Sequence, residues 1–286
     1  MTCPTARRVQ SDGEKSMTAT EQEGAMASAS PAAAGVPVLT TSPDALPFTR
    51  RLTQLVPLSA EEIAILGELQ SATRTIQRNR DIIMEGRSYG SILIIIEGTA
   101  IRYRILHDGR RQIINIALPG DIVGILGPFI ESSLYSTRAL TETVIAAISF
   151  ARVNALFESH PRLVTKIFLC FSSELSIYAE HLVDLGRRSA AERVAHFLLE
   201  LLTRLQAVGL ADDRSYKLPL TQELIADVLG LSIPHVNRVL RRLREDKLVV
   251  LEDQRVTVRD FDGLAELADF DPRYLSRFSG AELLLG

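Results

Sequence analysis

Cysteine is scarce in this sequence, with only Cys3 and Cys170 among 286 residues. Cys3 lies in a segment that we expect to be disordered, so no disulfide framework is predicted and a reducing cytoplasm fits the composition. Two cysteines are also too few to supply the four thiolates of an iron–sulfur cluster. This scarcity argues against a disulfide-rich secreted domain and against a cysteine-ligated cluster.

Long apolar runs are also missing, and those present, such as 92–96, are short. A membrane-spanning helix needs about 20 apolar residues, so we expect no integral membrane protein. No apolar stretch follows Arg7, Arg8 and Lys15, so no secretory signal is predicted. The net charge is −3, and any attraction to nucleic acid must therefore be local.

Common catalytic motifs are absent too: the sequence has no phosphate-binding loop, no His-Glu-x-x-His and no Gly-x-Ser-x-Gly. We therefore expect no enzyme and no metal site. His181 and His196 are interpreted as structural residues. Cys170 is interpreted as buried packing, with a redox sensor as the alternative.

The first part of the chain has the composition of a disordered tail. Ala, Ser, Thr, Pro and Gly fill 20 of the 30 positions from 17 to 46, too little apolar surface to offset the entropy of ordering. An amphipathic region follows, in which Ser59 and Glu62 have the spacing of a capping box.

From about 74 to 149 the pattern predicts β structure. Short strand candidates alternate with Gly, Pro and Asp turns, which is typical of a sandwich or barrel. Asp108-Gly109 between two such runs predicts a hairpin with a type I′ turn. The five candidates span 82–84, 91–97, 100–106, 112–117 and 143–148.

A long helix is predicted from 161 to about 185. Apolar side chains recur along it in alternating steps of four and three residues, the heptad pattern of a coiled coil. We call these seven residues the apolar stripe: Val164, Phe168, Phe171, Leu175, Tyr178, Leu182 and Leu185. The stripe predicts a dimer axis along this helix. In the alternative interpretation, the helix packs on its own β domain.

A second capping box, Ser189 with Glu192, opens the next predicted helix. Beyond it, Thr221 can cap a helix over 222–229, Gly230 supplies a tight turn, and Ser232 can cap a helix over 233–247. Two helices joined by such a turn predict a helix-turn-helix.

The second of these helices has two chemically opposite faces. Between 232 and 247 there are five basic residues and two acids, a local charge of +3. Arginines can neutralise phosphates and can pair with guanine. We expect base contacts from His235, Asn237 and Arg238 and backbone contacts from Arg241, Arg242 and Arg244. Thr221, Gln222 and Ser232 complete the predicted DNA interface. The alternative is a solvated charged face.

Two further strands, 249–251 and 255–258, predict a β-hairpin wing. In the order of these predicted elements, the chain resembles the superfamily of the cyclic-AMP receptor protein and the fumarate–nitrate reduction regulator. The stretches that carry the resemblance run from Leu220-Thr221-Gln222-Glu223 through Arg244 and from Gly120 to Gly127.

The resemblance implies an α+β fold with an N-terminal cyclic-nucleotide-binding-like β-barrel (jelly roll), a long dimerisation helix and a C-terminal winged helix-turn-helix. The predicted divisions are a tail over 1–46, a sensor barrel over 47–160, the dimerisation helix over 161–186, the DNA-binding domain over 187–260 and an extension of unknown role over 261–286.

The family's site residues match this sequence unevenly. Arg238 falls at the guanine-reading arginine, whereas Pro234 stands where relatives often place a base-reading glutamate. In the barrel, Ile125 and Tyr135 replace the glutamate and arginine that bind a cyclic nucleotide. We therefore expect no cofactor, while a cyclic nucleotide at Arg138 or haem at His107 stays open.

The resulting hypothesis is a cytoplasmic, homodimeric transcription activator that binds palindromic promoter DNA and contacts RNA polymerase. Two rivals remain open: the same fold gated by a bound effector, and an enzyme or ligand-binding module whose basic face is incidental. The effector, the target genes and the sign of regulation are not legible in the sequence.

Overall fold

The computed structural model describes residues 42–125, 131–217, 219 and 221–276. Its helices are α1 Pro47–Leu55, α2 Ala60–Leu69, α3 Phe150–Ser159, α4 Pro161–Gly186, α5 Ala190–Ala207, α6 Gln222–Leu229, α7 Ile233–Glu245 and α8 Phe261–Ala268. Its strands are β1 Thr73–Ile76, β2 Asp81–Ile83, β3 Ser91–Glu97, β4 Ala100–Ile105, β5 Arg111–Ala117, β6 Ile122–Val123, β7 Ser136–Ala139, β8 Thr143–Ser149, β9 Ser215–Lys217, β10 Val249–Glu252 and β11 Arg255–Val258.

Strands β1 to β8 form two four-stranded antiparallel sheets, with the orders β1-β8-β3-β6 and β2-β7-β4-β5. Buried side chains from both sheets meet in one apolar cluster, including Ile83 and Ala100 from one sheet and Ile95 and Ile145 from the other. The sheets are therefore packed face to face, as the predicted jelly roll requires. Three strands were not predicted: β1, β6 and β7.

Helices α1 to α4 cover the outer face of the first sheet. Leu52, Leu66, Leu156 and Leu163 contribute one residue from each helix to a core that also contains isoleucines of β3. Both bonds of the predicted capping box at Ser59 and Glu62 are formed. This packing fixes the start of the long helix α4 on the β domain.

The described structure begins within the segment that the sequence predicts to be a disordered tail. Residues Pro43–Ala45 form a short 3₁₀ helix, and Leu46 is buried beside α1. Pro43 packs so closely on Gly67 of α2 that a Cβ there would lie 2.8 Å from the proline ring. The prediction of disorder is therefore wrong over 42–46, because a few apolar contacts anchor this segment. Its remainder, 1–41, lies outside the described residues.

Helix α4 presents two different faces. Leu163, Leu169, Cys170, Ser173 and Ile177 are buried against the rest of the chain. Within the apolar stripe, Phe168, Leu175, Leu182 and Leu185 are exposed, whereas Val164 and Phe171 are half-buried and pack on the same core. The helix thus packs on its own domain through one face and leaves part of the stripe exposed, while a dimer axis along the stripe stays a prediction.

The C-terminal half has its own small sheet, β10-β11-β9, next to α5 to α8. One apolar core joins these elements and includes Leu198 of α5, Val236 of α7, Val256 of β11 and Leu264 of α8. The capping box at Ser189 and Glu192 is formed. Helix α8 thus belongs to this core, although it lies beyond residue 260, where the predicted DNA-binding domain ends.

Two hairpin turns differ in which of their residues have a positive φ. In the turn between β4 and β5 only Gly109 has a positive φ, +85°, so the predicted type I′ turn is wrong. Three residues close this hairpin, with the glycine in the left-handed region. In the turn between β10 and β11, Asp253 and Gln254 both have positive φ, the type I′ pattern without a glycine. No helix in the described ranges is long and apolar enough to cross a membrane.

Candidate nucleic-acid interface

The α6–turn–α7 unit has the local geometry that the sequence predicts. The Thr221 hydroxyl accepts a hydrogen bond from the Leu224 N–H and so caps α6. Gly230 ends α6 in the left-handed conformation at φ 62°. Leu231 then donates its N–H to the Ala226 carbonyl at 3.0 Å. These bonds fix the angle at which α7 leaves the turn.

Ser232 occupies the cap position of α7, but its side chain does not cap the helix. The prediction is wrong because the N–H groups that a cap binds are not available. Pro234 has no N–H, and His235 donates its N–H to the Ser232 carbonyl at 2.9 Å. The Ser232 hydroxyl therefore makes no hydrogen bond to any described residue.

Helix α7 separates its apolar and basic side chains cleanly. Its buried side chains, which belong to the C-terminal core, are Val236, Val239, Leu240 and Leu243. On the opposite side, Asn237 and Arg238 are exposed and His235 is half-buried. Thr221 and Gln222, at the start of α6, are exposed too. The predicted interface residues thus lie at the surface, around the first turns of α6 and α7.

The arginines of α7 differ in their partners. Arg241 pairs with Glu245 at 2.8 Å and Arg242 with Asp246 at 3.6 Å, one helical turn further on. Such exposed pairs are weak, so a phosphate can replace the carboxylate at little cost. Arg238 has no ion-pair partner within the described part of the chain and can enter a groove without breaking a contact.

Helix α6 is docked on the β domain. Arg111 of β5 forms an ion pair with Asp227 at 2.7 Å, and Gln112 donates its side-chain N–H to the Val228 carbonyl at 3.1 Å. This contact holds the first helix of the unit against the sensor domain and leaves the basic face of α7 uncovered.

A buried ionic cluster, which no local sequence pattern predicts, joins the β domain, α1, α4 and α5. Asp121 accepts hydrogen bonds from Arg51 at 2.5 Å and from Arg204 at 2.6 Å. Arg204 also pairs with Glu200 at 3.1 Å, and Glu200 pairs with His181 at 2.9 Å. Glu200 and Arg204 are one turn apart on α5, but Arg51, Asp121 and His181 come from other elements. Only the tertiary fold therefore brings the five residues together.

The charges of this cluster shift its pKa values. Burial opposes protonation of His181, but the nearby carboxylate and hydrogen bond of Glu200 outweigh burial and raise the His181 pKa. Burial alone would raise the pKa of Glu200, yet His181 and Arg204 lower it to about 2. At neutral pH, Glu200 is therefore ionised, and its charge favours the protonated form of His181.

His196 has the structural position that we predicted. Its ring is fully buried, lies 3.1 Å from Asp184 of α4 and stacks on Tyr274 in the segment after α8. Tyr274 also donates its hydroxyl to Glu200 at 3.3 Å. Residues beyond the predicted 260 boundary thus pack on the junction of α4 and α5.

The region that the family resemblance assigns to a cyclic nucleotide has a small cavity among its described residues. Ile125 and Tyr135 line it, and its volume is about 60 Å³, whereas ligand sites usually measure about 300–1,000 Å³. Arg138, the candidate phosphate ligand, is bound to Asp81 at 2.8 Å. His107, the candidate haem ligand, is exposed at the β4–β5 turn. Leu126 and Gly127 of this region lie outside the described residues.

The described residues offer no feature that favours a redox role for Cys170 or a metal site. Cys170 is buried, and burial raises the pKa of its thiol to about 11, which disfavours the reactive thiolate. Among the described residues there is no group of three or more His, Cys, Asp or Glu placed to hold a metal ion.

Two family models match the chain. The cyclic nucleotide-binding domain matches residues 73–160, and the Crp-like helix-turn-helix domain matches residues 192–267. The second match covers α7, the wing and α8, so the Crp-like domain extends past the predicted boundary at 260.

Curated relatives cover most of the same region. The transcriptional activatory protein AadR of Rhodopseudomonas palustris is 37% identical over 71% of this chain and 89% of its own length. The transcriptional activator Anr of Pseudomonas aeruginosa is 28% identical over 74% of this chain and 86% of its own length. The chain therefore belongs to the Crp/Fnr superfamily, which confirms the family resemblance and the predicted fold class.

Solved structures agree with this assignment. FixK2 from Bradyrhizobium japonicum is 26% identical, has a TM-score of 0.62 and aligns with 68% of this chain and 96% of its own. Within this superfamily, the protein is a transcription regulator of the Crp/Fnr type with a helix-turn-helix DNA-binding domain. Because the relatives are named as regulators, the expectation that the protein is not an enzyme is also confirmed.

Proposed function

We propose that the protein is a homodimer that inserts two copies of α7 into successive major grooves of a palindromic promoter site. The observation that carries this proposal is the exposed, basic face of α7 opposite its buried apolar face. In a two-fold dimer the two helices would lie about 34 Å apart, one turn of DNA.

The dimer rests on the apolar stripe of α4. Phe168, Leu175 and Leu182, spaced by one heptad, are 65%, 68% and 71% exposed. A continuous row of exposed leucine and phenylalanine on one helix is costly in water, and a second α4 would cover it. Val164, Phe171 and Tyr178 are half-buried at the edge of the row, and Leu185 ends it near Gly230 of the turn.

Sequence recognition falls to the start of α7. Arg238 is exposed and unpaired, so it can bond both acceptors of a guanine, while His235 and Asn237 contact neighbouring bases. Arg241 and Arg242 exchange their carboxylate partners for phosphates. Thr221, Gln222 and the unbonded Ser232 hydroxyl donate to the backbone on either side, which sets the register of the helix.

Regulation works without cyclic AMP and without an iron–sulfur cluster. The small cavity at Ile125 and Tyr135 supports the first statement, and the cysteine count supports the second. In a calorimetric titration, cyclic nucleotides should give no heat, and the visible spectrum should show no Soret band. Heat in the titration or a Soret band would instead establish the effector-gated alternative.

Relatives named as transcriptional activators support activation as the outcome. The bound dimer would then act in the cytoplasm, where promoter DNA lies, through a contact with RNA polymerase.

The test starts with selection of duplexes by the purified protein from a random pool, followed by the same selection with Arg238→Ala. The wild type should enrich an inverted repeat. The variant should lose preference at one base pair per half-site, by about 1–3 kcal/mol. Equal preference in both proteins would overturn the role of Arg238, and no enrichment by the wild type would overturn the proposed function.

A further inference from the structure

The turn between β1 and β2 is held rigidly at the edge of the β domain. Arg80 donates its N–H to the Gln77 carbonyl at 3.1 Å, and Asn79 adopts a positive φ of 63°. Two bonds tie the turn to the end of β7: the Asn79 N–H to the Ala139 carbonyl at 2.8 Å, and the Ala139 N–H to the Arg80 carbonyl at 3.0 Å. The arginines of this turn therefore project from a fixed backbone.

Arg78 of this turn lies beside the basic face of α7, although it belongs to the other domain. It lines a cavity of about 410 Å³ together with Asn237, Arg241 and Arg244 of α7 and with Arg255 of the wing. The cavity is also lined by the acids Glu252 and Asp253.

Two of the four arginines around this cavity already have ion-pair partners, and two do not. Arg241 pairs with Glu245, and Arg255 pairs with Asp212 at 3.2 Å. Arg78 and Arg244 are exposed and have no ion-pair partner within the described ranges. Nearby, Glu142 accepts a hydrogen bond from the side-chain amide of Gln77 and forms no ion pair with Arg78.

We propose that the β1–β2 turn is an additional DNA contact, in which Arg78 binds a backbone phosphate beside the half-site that α7 reads. The inference rests on the proposed function, because it needs α7 in the major groove. A phosphate is the expected ligand, because Arg78 lies beside Arg241 and Arg244, from which we expect contacts with the DNA backbone. Of the three residues proposed to read bases, only Asn237 lines the same cavity. The turn thus fixes the orientation of the sensor domain on the duplex and carries no sequence information.

The experiment measures the affinity of the full-length protein for its selected duplex, with flanks of about ten base pairs, over a series of KCl concentrations. Each phosphate contact contributes about 0.9 to the slope of log K against log salt. Arg78→Ala removes one contact in each of two protomers, so the slope should fall by about 1.8 and the affinity by about tenfold, with base preference unchanged. Arg162→Ala, at the far end of α4, is the matched control and should match the wild type.

Three results would overturn the inference: an unchanged slope for Arg78→Ala, an altered base preference, or an equal loss with Arg162→Ala. Failure of the proposed function would look different, because the wild type itself would then select no duplex. An unchanged melting temperature of Arg78→Ala verifies that the variant is folded, as expected for an exposed side chain. Arg78→Lys should restore most of the salt slope, since it retains the charge.

Discussion

Arg204 of α5 donates a hydrogen bond to Asp121 of the β domain at 2.6 Å, and both side chains are almost completely buried. Arg204 belongs to the family's helix-turn-helix region and Asp121 to its sensor domain. Arg51 of α1 binds the other oxygen of the same carboxylate. One carboxylate thus joins three parts of the chain.

Asp121→Ala should destabilise the protein by about 3–5 kcal/mol, because it leaves two buried guanidinium groups without their partner. The free energy of unfolding, measured with urea, checks this expectation. Asp108→Ala is the matched control, since Asp108 pairs with Arg110 at the surface and its loss should leave the free energy of unfolding almost unchanged. Equal effects of the two substitutions would contradict the role given to the buried cluster.

The sequence could not predict this cluster, although it predicted most of the elements that form it. The capping boxes and the glycine turn are local patterns, and the structure has them at Ser59, Ser189 and Gly230. The pairing of Arg51, Asp121 and Arg204 depends on how distant elements pack, which no local pattern encodes. Strand β7 was missed for a related reason: in Ser136–Ala139 only Ala139 is apolar, so the strand shows no alternation.

The side-chain roles were predicted less well than the positions. Ser232 stands at the start of α7, yet its hydroxyl caps nothing, because Pro234 and the Ser232 carbonyl change which N–H groups are available. The sequence identified the basic face of α7, but it did not relate Arg78 to that face. About 160 residues separate the two, and only the tertiary fold brings them together.

The His181–Glu200 pair should make stability depend on pH. The raised pKa of His181 contributes stability that is complete below its unfolded value of about 6.5 and is lost as pH rises through the raised value. The melting temperature should therefore fall from pH 6 to pH 9. At the acid end, the Glu200 pKa of about 2 contributes stability that is lost as pH falls below about 4.5.

The variant His181→Gln should flatten the alkaline part of this profile, because it removes the titrating group while keeping a polar side chain. His107→Gln, at an exposed turn, should keep the wild-type profile. The groups that face His181 are Glu200, Arg204 and Asp184. A profile that stays unchanged in His181→Gln would show that other groups cause the pH dependence.

Gly230→Ala should destabilise the helix-turn-helix. The residue has a φ of 62°, which costs an L-amino acid about 1–2 kcal/mol, and a Cβ would lie 3.3 Å from Leu185 of α4. Gly186→Ala is the control, because an added Cβ there meets open space. Calorimetric melting should show a lower transition temperature for the first variant and no decrease for the second. A Gly230→Ala variant as stable as the wild type would argue against the strained turn.

Leu175→Glu should turn the dimer into a folded monomer. The side chain is 68% exposed in a single chain, so the substitution costs the isolated fold little, while two buried glutamates would face each other across a dimer axis. Light scattering after gel filtration gives the mass, and circular dichroism verifies the fold. Arg162→Glu, exposed at the start of the same helix and outside the stripe, should remain dimeric. A Leu175→Glu protein with the same dimeric mass as the wild type would contradict the proposal that the dimer forms along α4.

The most direct test of the central claim is the dependence of affinity on half-site spacing. Five base pairs are inserted between the two halves of the selected inverted repeat, which turns one half-site to the opposite side of the duplex, and Kd is measured for both duplexes. If one dimer places two copies of α7 in successive major grooves, the insertion should reduce the affinity by at least about a hundredfold, toward non-specific binding. Equal affinity for the two duplexes would contradict the account, because only a protein that reads each half-site independently is indifferent to their spacing.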